Sequence, residues 1–424
     1  MSARSQQDRR ATWAPPPRPE WLRRLNEEGS YMNLTEVVPL DEESLINAAK
    51  RDTGLEDFGD ESWHEPFTVL IKALEEEARL HLMGRLMTRS DLVMFLKARL
   101  QIEETYKRHP EIDDERIEKP LVIVGQGRTG TSFLQNTLAT DPGNGTPRYW
   151  EAMFPCPPPE KATYATSPQV AAGDKLITQW SRAAPEIESM HEFAGHLPTE
   201  NIHLHCLSFR SPAWFMMLGQ VPSYAGYMMN QDPALTYRHE RRVLKLLQWR
   251  NPRKHWILKS PYALNEMPAI LAEYPDAGFI WTHRDPVKAL ASAVDLIGTL
   301  YWMRTDEPFR GDGLAQFTSA ELSAAMMSRP IDWLESGQLP RDRLVNVQYL
   351  DFVADPMGTI ERIYQALGVE MIPEGHACME RYIKDNARSN RPAHTYEFGS
   401  DEVVSRERAA FTRYQEYFGV PDEI

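Results

Sequence analysis

With 424 residues and 42% apolar content, the chain can bury a large core, enough for two to three domain-sized units or one α/β domain with helical additions. Its formal net charge of −14 argues against nucleic acid or an anionic membrane as the main partner, because both need clustered positive charge, so any anionic ligand must be held locally. Cys156, Cys206 and Cys378 form neither a zinc spacing nor an even disulfide framework, the first thirty residues lack the apolar core of a secretory signal, and no stretch approaches about 18 uninterrupted apolar residues; a cytoplasmic protein without a transmembrane segment is expected.

Residues 1 to about 30 form a polar, proline-containing arm. Residues 40 to 109 carry three helical segments and no strand signal. Asp41 to Lys50 opens with acid in its first turn, as helix N-termini prefer, and the stretches Trp63 to Leu82 and Ser90 to Tyr106 repeat apolar residues every three or four positions. Residues 1–117 are therefore expected to be a helical N-terminal region packed on the domain that follows, 118–424.

From Pro120 the pattern becomes α/β. Pro120 to Gly125 is a short β-branched run suited to a buried parallel strand, and Ser132 to Ala139 has helical periodicity. Between them, Gly125-Gln126-Gly127-Arg128-Thr129-Gly130-Thr131-Ser132 fits the phosphate loop G-x-x-x-x-G-K-[ST] except that Thr131 stands where the lysine belongs. That lysine reaches the β- and γ-phosphates of a nucleoside triphosphate, so its absence points to a nucleotide with less charge beyond the first phosphate. Backbone N–H groups, the helix dipole and Arg128 supply the anion site.

Residues 142 to 252 lack a regular rhythm and read as a substrate-binding insert. Phe193, Phe209, Trp214, Phe215, Tyr224, Tyr227, Met228 and Met229 within it suit either a deformable apolar acceptor pocket or ordinary core. Further strands are expected at His255 to Ser260, Gly278 to His283 and Arg343 to Tyr349, with helices at Asn265 to Tyr274, Pro286 to Ile297 and Pro356 to Leu367. Alternating strands and helices indicate a central parallel sheet flanked by helices, whose ligands gather at the carboxyl ends of the strands.

In Thr282-His283-Arg284-Asp285-Pro286 a strand ends and a helix begins, and Ser292 lies two helical turns beyond Arg284. Arginine and hydroxyl together can hold a second phosphate from two sides. With this element the chain resembles the sulfotransferases that use 3′-phosphoadenosine 5′-phosphosulfate (PAPS), in particular a bacterial group with Trp-Glu and Leu-Lys-Ser-Pro elements, here Trp150-Glu151 and Leu258-Lys259-Ser260-Pro261. The resemblance runs over about 118 to 400, including the segment from Arg391 to Gly399. It implies a P-loop, sulfotransferase-like fold in which Gly127, Arg128, Thr129, Gly130, Thr131 and Ser132 bind the 5′-phosphosulfate, Arg284 and Ser292 the 3′-phosphate, and Arg391 completes the donor site. PAPS is the implied co-substrate, a small-molecule hydroxyl compound the acceptor, and no metal is required.

For the base, Glu151 is the first expectation, because similar enzymes place a catalytic glutamate at about its offset from the loop; capping a helix or pairing with Arg148 is its alternative role. Lys259 is expected to assist the leaving group. Tyr262 or Ala263 stands where many relatives carry histidine, so no histidine base is expected there. Among His191, His196, His203 and His205, with Glu192 and Glu200, no known metal-ligand spacing occurs, and His196 and Glu200 are the further catalytic candidates. The rival readings are a P-loop kinase-like phosphotransferase and a non-catalytic nucleotide-binding scaffold. Oligomeric state is not legible.

Overall fold

The computed structural model describes residues 13–309, 318–386 and 400–424. It opens with helices α1 (Glu20–Gly29), α2 (Glu42–Thr53), α3 (His64–Glu76) and α4 (Leu82–Arg108). Asp41 starts α2 by accepting the Ser44 N–H at 2.8 Å, satisfying one of the orphan donors of a helix N-terminus. The expected helix from Trp63 to Leu82 stops early because Leu80 leaves it to form a bridge with Thr305, with Arg79 at φ 50° making the turn. His81 then caps α4, its Nδ1 accepting the Gly84 N–H at 3.0 Å, and this starts the last helix eight residues before the expected Ser90.

Five parallel strands follow: β1 (Leu121–Val124), β2 (Asn144–Gly145), β3 (His255–Lys259), β4 (Gly278–His283) and β5 (Leu344–Gln348), in the order β2-β3-β1-β4-β5. The chain leaves β1 to one side for β2 and β3 and to the other for β4 and β5. The carboxyl end of β1 is thus the switch point at which such sheets receive ligands.

Alternation along β1 distributes its side chains between two cores. Leu121 and Ile123 join Ile257, Ile280 and the helix-borne Leu134 and Leu138 on one face. Val122 and Val124 join Leu258, Phe279 and Trp281 on the other, in a core that extends to Leu70, Phe95 and Leu96 of the N-terminal helices. The helices before the sheet and one of its faces therefore share a core. Each aliphatic side chain fully buried there contributes about 1.5–3 kcal/mol.

Helices α5 (Thr131–Leu138), α6 (Tyr149–Met153), α7 (Pro168–Ala183), α8 (Ala234–Gln248), α9 (Met267–Glu273), α10 (Pro286–Trp302), α11 (Ala320–Ser336) and α12 (Pro356–Leu367) complete the surroundings of the site. The region 142–252 is mainly helical. Its aromatic and methionine residues are mostly core rather than pocket: Phe209, Trp214, Phe215, Tyr224 and Met228 are buried, whereas Met229 is exposed.

Candidate active site

The loop after β1 is laced to the neighbouring strand. Thr129 Oγ1 donates to the Gln126 carbonyl at 2.8 Å and lies 2.6 Å from Thr282 Oγ1 on β4, so its side chain holds the loop's shape. Gly125 has φ 139°, and a Cβ there would fall 2.6 Å from Thr282 Oγ1 and 2.8 Å from its carbonyl oxygen. Gly125→Ala is accordingly expected to displace the loop and to weaken, at least about tenfold by calorimetry or about 1.4 kcal/mol, binding of the 3′,5′-bisphosphoadenosine that the sequence resemblance implies as a ligand. Arg128 at φ 72° and Gly130 at φ 89° turn the chain into α5, whose first residues are Thr131 and Ser132.

The loop has features suited to an anionic group. A Cβ on Gly127 would meet nothing within 4 Å, so its backbone is open to close approach. Gln126 is buried with neither amide atom partnered, a donor and acceptor pair that an oxygen-rich ligand can satisfy. Loop and α5 N-terminus together have the form of a turn that can receive an anion.

Lys259, the last residue of β3, brings to this turn the cation that Thr131 does not provide. Its buried Nζ lies 3.3 Å from Ser132 Oγ and 2.5 Å from Glu200 Oε1. Burial works to raise the Glu200 carboxyl, but the Lys259 ammonium outweighs it and holds the group below the usual carboxylate range. Glu200 is fixed through its neighbours. The Asn201 N–H donates to the Lys259 carbonyl at 3.1 Å, and Asn201 Nδ2 donates to buried Glu240, which also accepts from His205 and Tyr274.

Glu151 has a different setting. Its side chain has no exposed surface; Oε2 accepts the Arg148 N–H at 2.9 Å as part of a capping box on α6, and Oε1 accepts the Tyr164 hydroxyl at 3.0 Å. Burial pushes its carboxyl above the ordinary range. The capping role weighed for it is the one its contacts describe. His196 is exposed, and its carbonyl accepts from Arg148.

A second cationic element lies at the end of β4. Asp285 accepts the Val287 N–H at 3.0 Å and, with Pro286 in the first turn, starts α10. Arg284 stacks over Tyr349, its Cζ 4.0 Å from the ring centroid, and donates to the Arg128 carbonyl at 2.9 Å, joining the two elements. Its other nitrogens hold Glu423 at 2.9 and 3.1 Å, and Lys288 reaches the same carboxylate at 3.0 Å. A cavity of 250 Å³ is lined by Arg284, Tyr349 and Glu423. Ser292 is buried on α10. Arg391 lies outside the described residues.

The structure thus brings Arg128, Ser132, Lys259, Glu200 and Arg284 to one edge of the sheet and sets Glu151 in a buried cap. Gln126, Lys288 and Glu423 were not singled out from sequence. Lys288 had a signal, a cation in the first turn of the helix that begins just after Arg284. Among the described residues no group of three or more His, Cys, Asp or Glu could hold a metal ion, and no helix is long and apolar enough to cross a membrane.

A parallel α/β sheet with an anion-receiving turn at its switch point and cations on the adjacent strand ends defines a nucleotide-binding class of fold. Within that class the chain belongs to the sulfotransferase family, whose model matches residues 120–373, more than half of the sequence. It is similar to two proteins named omega-hydroxy-beta-dihydromenaquinone-9 sulfotransferase Stf3, from Mycobacterium bovis and Mycobacterium tuberculosis. Each is 26% identical over 291 residues, covering 64% of this chain and 68% of the relative. Sulfotransferase STF1 from Mycobacterium tuberculosis H37Rv has a crystal structure that superposes with a TM-score of 0.72 at 28% identity, over 88% of this chain and 98% of that one. The fold is also that of STF9 from Mycobacterium avium, with TM-score 0.74, 24% identity and coverage of 90% and 97%.

Proposed function

We propose that this sulfotransferase moves a sulfuryl group from PAPS to the hydroxyl of an apolar small molecule. The observation that carries the reading is the meeting of Lys259 with Ser132 at the rim of the loop, which offers a buried cation to the negative charge that a leaving phosphate develops. Gly127 to Ser132 receive the phosphosulfate, with the orphaned Gln126 amide beside them. Arg284 and Ser292 receive the 3′-phosphate. Glu200 keeps Lys259 aimed at the loop, and a base other than Glu151 fits this reading better, because both Glu151 oxygens are engaged and none of its side chain is exposed.

The donor has no β,γ-phosphate tail, which agrees with threonine at 131 and removes the need for a magnesium ion. Two relatives are named for an omega-hydroxylated dihydromenaquinone, a hydroxyl on an apolar body, and this supports an apolar acceptor. We place the reaction in the cytoplasm, where the chain's three cysteines, none in a disulfide, suit a reducing medium.

Calorimetry with 3′,5′-bisphosphoadenosine against ATP, followed by transfer of labelled sulfate to 2-naphthol, 1-dodecanol and glucose, tests the reading. Tight bisphosphate binding with transfer to an apolar alcohol is expected. Preference for ATP would restore the kinase-like alternative, and binding without transfer to any alcohol would restore the scaffold. Arg128 Nη1 donates to the Met190 carbonyl at 2.6 Å, so Arg128→Ala is expected to lower kcat more than it raises the donor KM, through loss of both a cation and the loop's tie to 187–194. Steady-state kinetics with donor varied separate the two parameters.

A further inference from the structure

Against the segment that accepts from loop residue Arg128 lies a groove of 550 Å³, within the range of about 300–1,000 Å³ usual for small-molecule sites. One wall is a single face of α7, where Asp174, Ile177, Thr178, Ser181 and Arg182 recur at helical spacing. The other is the segment 187–194, with Ile187, His191 and Phe193. Met190 in that segment accepts from loop residue Arg128, so the groove wall is tied to the anion-receiving turn.

His191 is half-buried, and its ring is held in place. It stacks on Phe193 with centroids 4.2 Å apart; Phe193 meets Trp180 edge-on, and Trp180 stacks on Trp214. Its Nδ1 lies 3.0 Å from the Glu192 carbonyl oxygen. A carbonyl can only accept, so Nδ1 carries the hydrogen and Nε2 keeps its lone pair. This is the tautomer a proton acceptor requires.

We propose that this groove binds the apolar body of the acceptor alcohol or phenol and that His191 Nε2 takes the proton from its hydroxyl. The inference rests on the sulfuryl-transfer reading above. The acceptor oxygen forms the new bond to sulfur as its O–H proton passes to Nε2, and the bond from sulfur to the bridging oxygen breaks with its electron pair left on the 5′-phosphate beside Lys259. Burial, then the charge of Lys259, with Glu200 opposing and Arg128 adding, brings the ring down to about 4, so it is neutral at pH 7. Ile177, Ile187 and Phe193 provide apolar surface, whereas Asp174, Glu188, Glu192 and Arg182 rim the groove. That mixture fits an amphiphilic alcohol better than a sugar.

The test uses the full chain with PAPS and 2-naphthol or 1-dodecanol. His191→Ala is expected to lose about 10²–10⁴-fold in kcat, with bisphosphate affinity unchanged and turnover partly restored by added imidazole. Ser181→Trp, which fills the groove from α7, is expected to raise the KM of the apolar acceptor and leave donor affinity alone. Parent-like kcat in His191→Ala, or a loss that imidazole does not lift, overturns the base. A parent-like acceptor KM in Ser181→Trp, or a parent protein that sulfates glucose and neither apolar probe, overturns the groove. Failure of the parent to bind the bisphosphate would instead sink the donor reading and is scored separately.

Discussion

Lys259→Ala is expected to lower kcat by about 10²–10³-fold, the usual effect of removing one preorganised donor from a developing oxyanion. Bisphosphate affinity should fall much less, because the interaction strengthens only as charge collects on the bridging oxygen. A second consequence follows from Glu200, whose partner at 2.5 Å disappears. In the parent this carboxyl is held below its usual range, so it contributes stability above the unfolded-state pKa, and that contribution is lost as pH falls through the folded value. In the variant the desolvation that Lys259 outweighed is opposed only by His191 and His203, and the folded pKa is expected to move above the unfolded one. Stability then improves as pH falls. Thermal melts at pH 7 and pH 5 should therefore show a larger loss of Tm relative to the parent at pH 7. An unchanged kcat, or a Tm deficit that grows on acidification, would contradict the placement of the pair.

The loop after β1 and the strand ends beside it were readable in advance because their signals are local. Leu121 to Val124 is a β-branched run ended by Gly125, and the turn chemistry from 125 to 132 sits between that run and a periodic helix. Strand β2 was not legible, since Asn144 and Gly145 are only two residues and carry no periodicity. Glu151 shows a different limit. An acid in the first turn of a short helix looks the same in sequence whether it caps or catalyses, and its contacts with the Tyr164 hydroxyl and the Arg148 N–H become visible only in the fold. The sequence singled out His196, beside Pro198-Thr199-Glu200, and passed over His191. Packing separated them, by turning His191 onto Phe193 in the groove wall and leaving His196 exposed. Glu423 lies 139 residues from Arg284, a separation at which no local pattern can announce a contact.

That contact shapes the last expected result. Arg284→Ala should cost about 2–4 kcal/mol of bisphosphate binding, about 30–1,000-fold in Kd, since it leaves a phosphate without its bidentate partner. In this structure the same guanidinium is already held by a carboxylate. Burial tends to raise the Glu423 carboxyl, yet Arg284 and Lys288 keep it below the usual range, so it is ionised at neutral pH and competes with a phosphate for Arg284. Glu423→Gln, which keeps the shape and removes the charge, is thus expected to tighten bisphosphate binding several-fold. The gain should vanish in the Arg284→Ala background, where no guanidinium remains to contest, giving a coupling energy between the two positions in a double-mutant cycle. If Glu423 instead only orients Arg284, Glu423→Gln weakens binding, and calorimetry distinguishes the two by sign. Equal bisphosphate affinity of Arg284→Ala and the parent would remove the 3′-phosphate from this element altogether.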